Sequence, residues 1–265
     1  MSTRMPTYFI SHGGGPWPWV ETMRQEFAPL EASLAAMPAE LPERPKAVLV
    51  ISGHWEADDF RVMTAPRPPM IYDYSNFPPH TYDVVYPAPG APDVARRAQE
   101  LITAAGLPAT ADGAQGFDHG TFVPLFVMYP DASVPVFQVS MQHGYDPAAH
   151  FALGRALAPL RDEGVLIVGS GLSYHNLRMF GPDAKVPSAG FDRWLTEVLD
   201  QPGSARTQAL LNWEAAPHAR VCHKDEDHLV PLFAALGAAE QDRAVMTYHQ
   251  EGIFGGVTAS SWRFG

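Results

Sequence analysis

The stretch Ala47-Val48-Leu49-Val50-Ile51 decides the fold class, because it is a continuous apolar run in a chain whose other segments mostly mix apolar and polar residues. An alternating pattern would indicate a strand with one wet face, whereas an unbroken apolar run is typical of a central strand that is covered on both faces. The run leads directly into Ser52-Gly53-His54-Trp55-Glu56, so polar and ligand-forming side chains follow the strand at once.

Similar apolar runs lie on either side of this strand and alternate with segments of helical spacing. Further strands are predicted at 7–10, 134–139, 165–168, 244–248 and 260–264. Helices are predicted at 19–36 with an interruption at Pro29, 92–105, 147–160 with a break near Pro159, 191–199, 205–211 and 227–236. This alternation predicts one α/β domain over residues 1–265, with a mixed central β-sheet flanked by helices.

Composition narrows the classes of partner and site. The 265 residues include 46% hydrophobic and 18% charged residues, as in an ordinary globular chain. A net charge of −11 argues against nucleic acid or an anionic membrane as the main partner. The single cysteine, Cys222, excludes an internal disulfide and a Cys-rich zinc site, so any metal must be held by His, Asp or Glu.

The location of the chain is predicted from what its sequence lacks. The first residues have no basic segment followed by an apolar stretch, so no signal peptide is expected. No run approaches the ~20 apolar residues that span a bilayer. We therefore expect a cytoplasmic protein without a membrane partner, and the sequence carries no indication of its oligomeric state.

Three histidines follow predicted strands at matching positions. His12, His54 and His175 each lie just past the end of a core strand. In an open α/β sheet, ligands bind beyond the carboxyl ends of the strands, so these imidazoles can converge there. A single histidine after a strand is more often a hydrogen-bonded loop residue, but three at matching positions favour a metal cleft at the strand ends.

Two further histidines have contexts that allow a functional role. His119, in Asp118-His119-Gly120, is a candidate for acid/base catalysis or oxygen binding, or else a turn residue. His228 lies at the start of the last predicted helix, where acidic neighbours would also favour the helix N-terminus. The remaining histidines are predicted to lie on the surface or in substrate loops: His80, His143, His150, His218, His223 and His249.

The segment 65–90 is rich in proline and aromatic residues, which a flexible linker would not hold. It predicts a long ordered loop. Four of its aromatic side chains are candidates to cover a flat substrate ring, or alternatively to pack a surface loop: Tyr72, Tyr74, Phe77 and Tyr82.

Several motifs are excluded as active sites. His12-Gly13-Gly14-Gly15 is similar to the oxyanion loop of esterases, but no serine lies in a Gly-x-Ser-x-Gly elbow, and Ser170 has Val168 where the first glycine should be. Cys222 has only a sequence neighbour, His223, to activate it. No Walker loop is present, and no Gly-x-Gly-x-x-Gly follows a strand, so nucleotide binding is unsupported.

Six motifs occur along the chain in this order: Ser11-His12-Gly13, Ser52-Gly53-His54-Trp55, Tyr86-Pro87-Ala88-Pro89-Gly90, Gly116-Phe117-Asp118-His119-Gly120, His175-Asn176-Leu177-Arg178 and Asp227-His228-Leu229-Val230-Pro231-Leu232. Together they resemble the DODA-type extradiol aromatic ring-opening dioxygenases, of the class III extradiol superfamily. The resemblance extends over nearly the whole chain, to Trp262-Arg263-Phe264-Gly265.

The resemblance implies a non-haem, metal-dependent enzyme that opens the ring of a catechol with O2. It implies that His12, His54 and His228 bind one metal ion. The wider superfamily uses two histidines and a carboxylate, so Glu226 is the alternative third ligand. Iron(II) is expected for activity because zinc cannot change its oxidation state, although Zn²⁺ can occupy the site after purification.

The resemblance also implies roles for the other two motif histidines. His175 would be either a further metal ligand or the acid/base group, and His119 would lie near bound oxygen and substrate. Arg178 is a candidate to pair with a substrate carboxylate or to anchor its own loop. Two other functions remain on the same scaffold: a zinc-dependent hydrolase with a metal-bound water, and a non-catalytic binding protein.

Overall fold

The computed structural model describes residues 4–265. Its strands are β1 (Thr7–Ser11), β2 (Ala47–Ser52), β3 (Glu56–Ala57), β4 (Phe60–Met63), β5 (Ala109–Asp112), β6 (Val136–Gln138), β7 (Met141–Gln142), β8 (Val165–Gly171), β9 (Ala244–Ile253) and β10 (Val257–Phe264). Its α-helices are α1 (Glu21–Glu26), α2 (Ala28–Glu40), α3 (Pro92–Ala104), α4 (His119–Met128), α5 (Pro147–Leu157), α6 (Pro159–Asp162), α7 (Pro182–Leu199), α8 (Gly203–Leu211), α9 (Ala219–Cys222) and α10 (Val230–Gly237).

Six strands form the central sheet in the order β6-β2-β8-β1-β10-β9. The first four are parallel, whereas β10 runs antiparallel to β1, and β9 antiparallel to β10. The predicted single α/β domain with a mixed central sheet is confirmed. Two small parallel pairs, β3–β7 and β4–β5, lie outside this sheet.

Strand β8 shows how the centre of the sheet is covered on both faces. Successive strand residues point to opposite faces. A Cβ on Gly169 would lie 2.2 Å from the carbonyl oxygen of Pro231, so α10 packs directly against that face. The next residue, Ser170, contacts the carbonyl of Gly120 in α4 on the other face. This arrangement explains why β2 and β8 are apolar without alternation.

The predicted elements differ from the observed ones mainly at prolines. The helix predicted at 19–36 is two helices, because the chain leaves helical geometry at Phe27, and Pro29 lies in the first turn of α2. The helix predicted at 227–236 begins only at Val230, with Pro231 in its first turn. The strand predicted at 134–139 is limited to β6.

The loop predicted at 65–90 contains one short 3-10 turn, Pro79–Tyr82. Hydrogen bonds within the loop fix it: the Tyr72 hydroxyl donates to the Val84 carbonyl at 2.7 Å, and the Tyr74 hydroxyl donates to the Thr81 carbonyl at 2.6 Å. Among residues 4–265, no helix is both long enough and apolar enough to cross a membrane.

Candidate metal centre and active site

The site lies where the three central parallel strands end. Strand β8 pairs with β1 and β2, and the register places Ser11 beside Gly171 and Ser52 beside Ser170. The segments that follow these strands therefore leave the sheet at one edge. His12 follows β1 directly, and His54 lies two residues beyond β2.

The His12 backbone is fixed by the glycine-rich loop that follows it. The Trp17 indole N–H donates to the His12 carbonyl at 2.9 Å. Gly13 has a φ of +80°, and a Cβ there would lie 2.5 Å from the Trp17 ring. Only glycine allows both this backbone conformation and this close approach, so the glycines of this loop position a histidine rather than form an oxyanion hole.

The His54 backbone is fixed by the serine that ends β2. The Ser52 hydroxyl accepts from the His54 backbone N–H at 3.2 Å and donates to Asp118 Oδ1 at 2.7 Å. Asp118 in turn caps α4 by accepting from the Thr121 N–H at 3.0 Å. Burial, with a smaller effect from the Asp73 charge, raises the pKa of Asp118 to about 6.

Three imidazole nitrogens converge at this edge. His54 Nε2 lies 3.2 Å from His12 Nε2 and 3.1 Å from His228 Nε2. Metal–nitrogen distances of ~2.0–2.1 Å place neighbouring ligand atoms about 3 Å apart, so this spacing fits a shared ion. His228 joins the cluster from the turn that precedes α10, not from the helix itself.

The partner of His12 Nδ1 fixes the tautomer of the ring. Ser170 donates its hydroxyl proton to the Gly120 carbonyl. Its Oγ therefore accepts from His12 Nδ1, which is 3.1 Å away. With the proton on Nδ1, Nε2 carries a lone pair toward the cluster, as metal ligation requires.

Carboxylates lie close to the Nδ1 atoms of the other two rings and act on them through their charge. His54 Nδ1 lies 3.3 Å from Asp73 Oδ2, and His228 Nδ1 lies 2.9 Å from Asp227 Oδ2. Each carboxylate favours a proton on Nδ1 and leaves the lone pair on Nε2. Lone pairs on three converging nitrogens repel one another unless a cation lies between them, so this donor set fits a divalent metal ion.

The charge states agree with metal ligation. Burial, with a smaller effect from the neighbouring histidines, holds the pKa of His12 and His54 well below the usual value. Burial lowers the pKa of His228 to about 4, although the Asp227 carboxylate opposes this shift. Asp227 is half-buried, which acts to raise its pKa, but its close contacts with the His175 and His228 rings hold the pKa well below the usual range. The three rings are therefore neutral at neutral pH, which is the form that can bind a metal ion.

The remaining two predicted site histidines complete the cluster. Asp73 joins His119 to His54: its Oδ1 accepts from the His119 backbone N–H at 3.0 Å and from His119 Nδ1 at 2.8 Å. Asp227 joins His175 to His228 in the same way, with its Oδ1 3.3 Å from His175 Nδ1. The His175 and His228 rings are stacked, with centroids 3.4 Å apart.

The cluster allows more than one set of ligands. Candidate ligand atoms of His12, His54 and His119 lie within 4.8 Å of one another, and so do those of His175, Asp227 and His228. All five histidines singled out from the sequence are thus brought together. Sequence reasoning missed Asp73. It considered Asp227 as an acidic neighbour of His228 at the helix start, and Ser170 as a rejected nucleophile.

Other residues considered from the sequence lie elsewhere. Glu226 is ion-paired with Arg220 at 2.6 Å instead of facing the histidines. The prediction that His150 and His223 lie on the surface or in substrate loops is wrong, because both are fully buried. Burial lowers the pKa of His223 to about 3 and that of His150 to about 4. Burial also raises the pKa of the Cys222 thiol to about 12, in agreement with its rejection as a nucleophile.

A cavity of about 620 Å³ opens onto the histidine cluster. Of the four loop aromatics, Tyr74 and Phe77 line it, whereas Tyr72 and Tyr82 pack behind Tyr74. Arg178 does not line this cavity but lines an adjoining cleft of about 170 Å³, which shares His175, Asn176 and Leu177 with it. The cavity is large enough for a substituted aromatic ring beside the cluster.

Comparisons with known proteins identify the family of this chain. Residues 6–265 match the family described as the catalytic LigB subunit of aromatic ring-opening dioxygenase. The chain is 37% identical to a 4,5-DOPA dioxygenase extradiol of Beta vulgaris over 263 residues, which cover 97% of this chain and 96% of the relative. It is also 37% identical to a protein of that name in Escherichia coli (strain K12), over 95% of this chain and 91% of the relative.

A solved structure gives the same result for the fold. The crystal structure of an uncharacterized protein from Escherichia coli K12 superposes with a TM-score of 0.80 at 30% identity, and covers 99% of this chain and 100% of that chain. Together with the match over nearly the whole length, this shows that the chain belongs to the LigB family of extradiol aromatic ring-opening dioxygenases.

Proposed function

We propose that this chain opens the aromatic ring of a catechol with O2, beside the two hydroxyl-bearing carbons, as a non-haem iron(II) dioxygenase. The observation that carries the proposal is the convergence of three imidazole nitrogens at the inner end of a cavity. His54 Nε2 lies 3.2 Å from His12 Nε2 and 3.1 Å from His228 Nε2. Iron(II) held by three ligands would supply open coordination positions and a change of oxidation state, which zinc lacks.

The protein's own groups have two tasks in this proposal. The first is to hold the three ligand rings in one tautomer, which Ser170, Asp73 and Asp227 support through their contacts with Nδ1. The second is to move protons. A catechol must lose a hydroxyl proton as it binds, and the product must regain one, while both atoms of O2 enter the ring-opened semialdehyde.

We assign the proton transfers to His175. It lines the cavity, and the Asp227 carboxylate contacts its Nδ1, so its Nε2 is the nitrogen left to accept a proton. His119 is assigned to a position beside oxygen and substrate, because it lines the same cavity and Asp73 fixes its ring. Tyr74 and Phe77 are placed to cover one face of the substrate ring.

Substrate and location belong to the proposal as well. The relatives are named for DOPA, which makes a substituted catechol the first class of compound to test. Zn²⁺ is expected to compete for the site in purified protein and to give an inactive form. A cytoplasmic location is proposed from the single cysteine, and fractionation of cells that contain the tagged chain would test it.

The test uses protein purified without oxygen and loaded with iron(II). A panel of catechols is added in air, and the yellow absorbance of a ring-opened semialdehyde is recorded together with oxygen uptake. We expect matched product and oxygen consumption, abolished in His54→Ala. Fully metal-loaded protein that consumes no oxygen with any catechol would refute the proposal and favour a zinc-dependent hydrolase.

A further inference from the structure

The outer part of the cavity is built from apolar side chains of two segments that are distant in sequence. Helices α1 and α2 supply one side, and the hairpin of β9 and β10 supplies the other. The residues are Met23, Phe27, Leu30, Ile253, Phe254 and Val257. The histidine cluster thus occupies the inner end of the cavity, and a hydrocarbon surface leads from it to the mouth.

Aromatic rings continue this surface to the solvent. The ring centroids of Phe27 and Phe254 are 5.4 Å apart, and those of Phe254 and Phe180 are 5.6 Å apart. Phe180 and Phe254 keep 42% and 40% of their surface exposed. Large apolar side chains left exposed beside a cavity gain free energy when an apolar group covers them.

The charge of the cavity lining bears on which substituents the cavity can accept. Within residues 4–265, no lysine or arginine is among the side chains that line it. Arg178 and Lys224 line the adjoining 170 Å³ cleft beyond His175, Asn176 and Leu177, where Asp225 and Asp227 supply opposite charge. The carboxylate that does line the main cavity, Asp73, is committed to His54 and His119.

The hydroxyl groups of the lining offer little to an anion. Three tyrosines line the cavity, and each hydroxyl already donates to a protein acceptor: Tyr74 to the Thr81 carbonyl, Tyr174 to the Met179 carbonyl and Tyr248 to Gln250 Oε1. A carboxylate placed against these tyrosines would lose water without gaining a hydroxyl donor from them, which is unfavourable for a charged group.

We infer that the catechol bound here carries a neutral, apolar substituent, which lies against the Phe27–Phe254–Phe180 surface, rather than a carboxylate or an amino-acid side chain. The inference rests on the proposed function, because it takes the catechol hydroxyls to face the histidine cluster. It narrows the substrate class to alkyl- or aryl-substituted catechols.

The test compares three catechols with side chains of similar length: 4-propylcatechol, 3-(3,4-dihydroxyphenyl)propionate and L-DOPA. Binding is measured by anaerobic calorimetry at pH 7.5 with the zinc-loaded protein, which holds the ring without turning it over. We expect 4-propylcatechol to bind at least about tenfold more tightly than the propionate or L-DOPA. From 4-methyl- to 4-propylcatechol, each methylene should tighten binding about fourfold.

A positive charge placed at the mouth of the cavity tests whether the missing cation causes the preference for the apolar substituent. Phe180→Arg introduces the cation that the lining lacks and should reduce or reverse the preference for 4-propylcatechol over the propionate. Val186→Arg is the matched control, because Val186 is 70% exposed on α7 and does not line the cavity. It should leave the preference within about twofold of wild type.

The outcomes separate this inference from the proposed function. Equal or tighter binding of the propionate or L-DOPA to the wild-type protein would overturn the inference, and so would no binding of any of the three. A clear preference for 4-propylcatechol, combined with no oxygen uptake by the iron(II) form, would refute the dioxygenase and leave the apolar subsite standing.

Discussion

Asp73 joins two histidines of the site through opposite oxygens, which makes Asp73→Asn an informative perturbation. Its Oδ1 accepts from the His119 backbone and ring at 3.0 and 2.8 Å, and its Oδ2 lies 3.3 Å from His54 Nδ1. If the asparagine keeps the His119 contacts, its amide N–H group points at the Nδ1 proton of His54. The His54 ring then has to turn away or move its proton to Nε2, which removes the ligand lone pair.

The magnitude follows from what such orienting groups contribute. Loss of a partner that fixes a metal-bound histidine typically costs 10–100-fold in metal affinity, or about 1.4–2.7 kcal/mol. We expect Asp73→Asn to weaken Zn²⁺ binding in this range. The fold should persist, because Asp73 lies in the 65–90 loop, which the Tyr72 and Tyr74 hydroxyl bonds continue to fix.

The assay is competition for Zn²⁺ between the apoprotein and a chromophoric chelator, with circular dichroism to verify the fold. Asp83→Asn is the control, since it makes the same chemical change in the same loop at an exposed position. Zinc affinity of Asp73→Asn within twofold of wild type, in a folded protein, would refute the argument that Asp73 fixes the His54 tautomer.

Three further predictions concern individual residues. His175→Ala should retain metal and lose about 10²–10⁴-fold in rate, whereas His12→Ala should lose metal; equal metal loss by elemental analysis would instead make His175 a ligand. In Gly120→Ala the new Cβ would lie 2.9 Å from His54 Cδ2 and would displace the His54 ring. We therefore expect zinc affinity to fall by more than tenfold. Unchanged zinc affinity would contradict this packing argument. Burial lowers the pKa of His150 to about 4, so between about pH 6.5 and 4 the unfolded chain binds more protons, and stability falls as pH falls. In denaturant titrations, the stability advantage of wild type over His150→Gln should shrink by about 1.4 kcal/mol per pH unit across this window, and an advantage that does not change with pH would contradict it.

The positions of most strands of the central sheet could be predicted from the sequence. A continuous apolar run such as β2 is typical of a strand that is covered on both faces. A parallel neighbouring strand has its carboxyl end at the same edge of the sheet. That is why His12 and His54 could be expected to meet. The bounds of the helices were harder to predict. The break between α1 and α2 at Phe27 and the start of α10 at Val230 depend on packing as well as on local preference.

The orienting groups were not readable in the sequence. Asp73 lies 46 residues from His119 and between two tyrosines of an irregular loop, where no periodic pattern indicates its direction. Ser170 reaches His12 across 158 residues, through the pairing of β8 with β1. Nothing in the local sequence shows that His150 and His223 are buried, and only tertiary packing places them away from the cavity.

The sequence by itself determined the fold class, the five histidines of the cluster and the resemblance to ring-opening dioxygenases, because these depend on local apolar patterns and short motifs. The tertiary structure alone decided which nitrogen each ring presents, that Asp227 rather than Glu226 faces the cluster, and that the cavity beyond it is apolar. Such properties depend on contacts between segments distant along the chain, and only the folded arrangement of α1, α2, β9 and β10 brings those segments around one site.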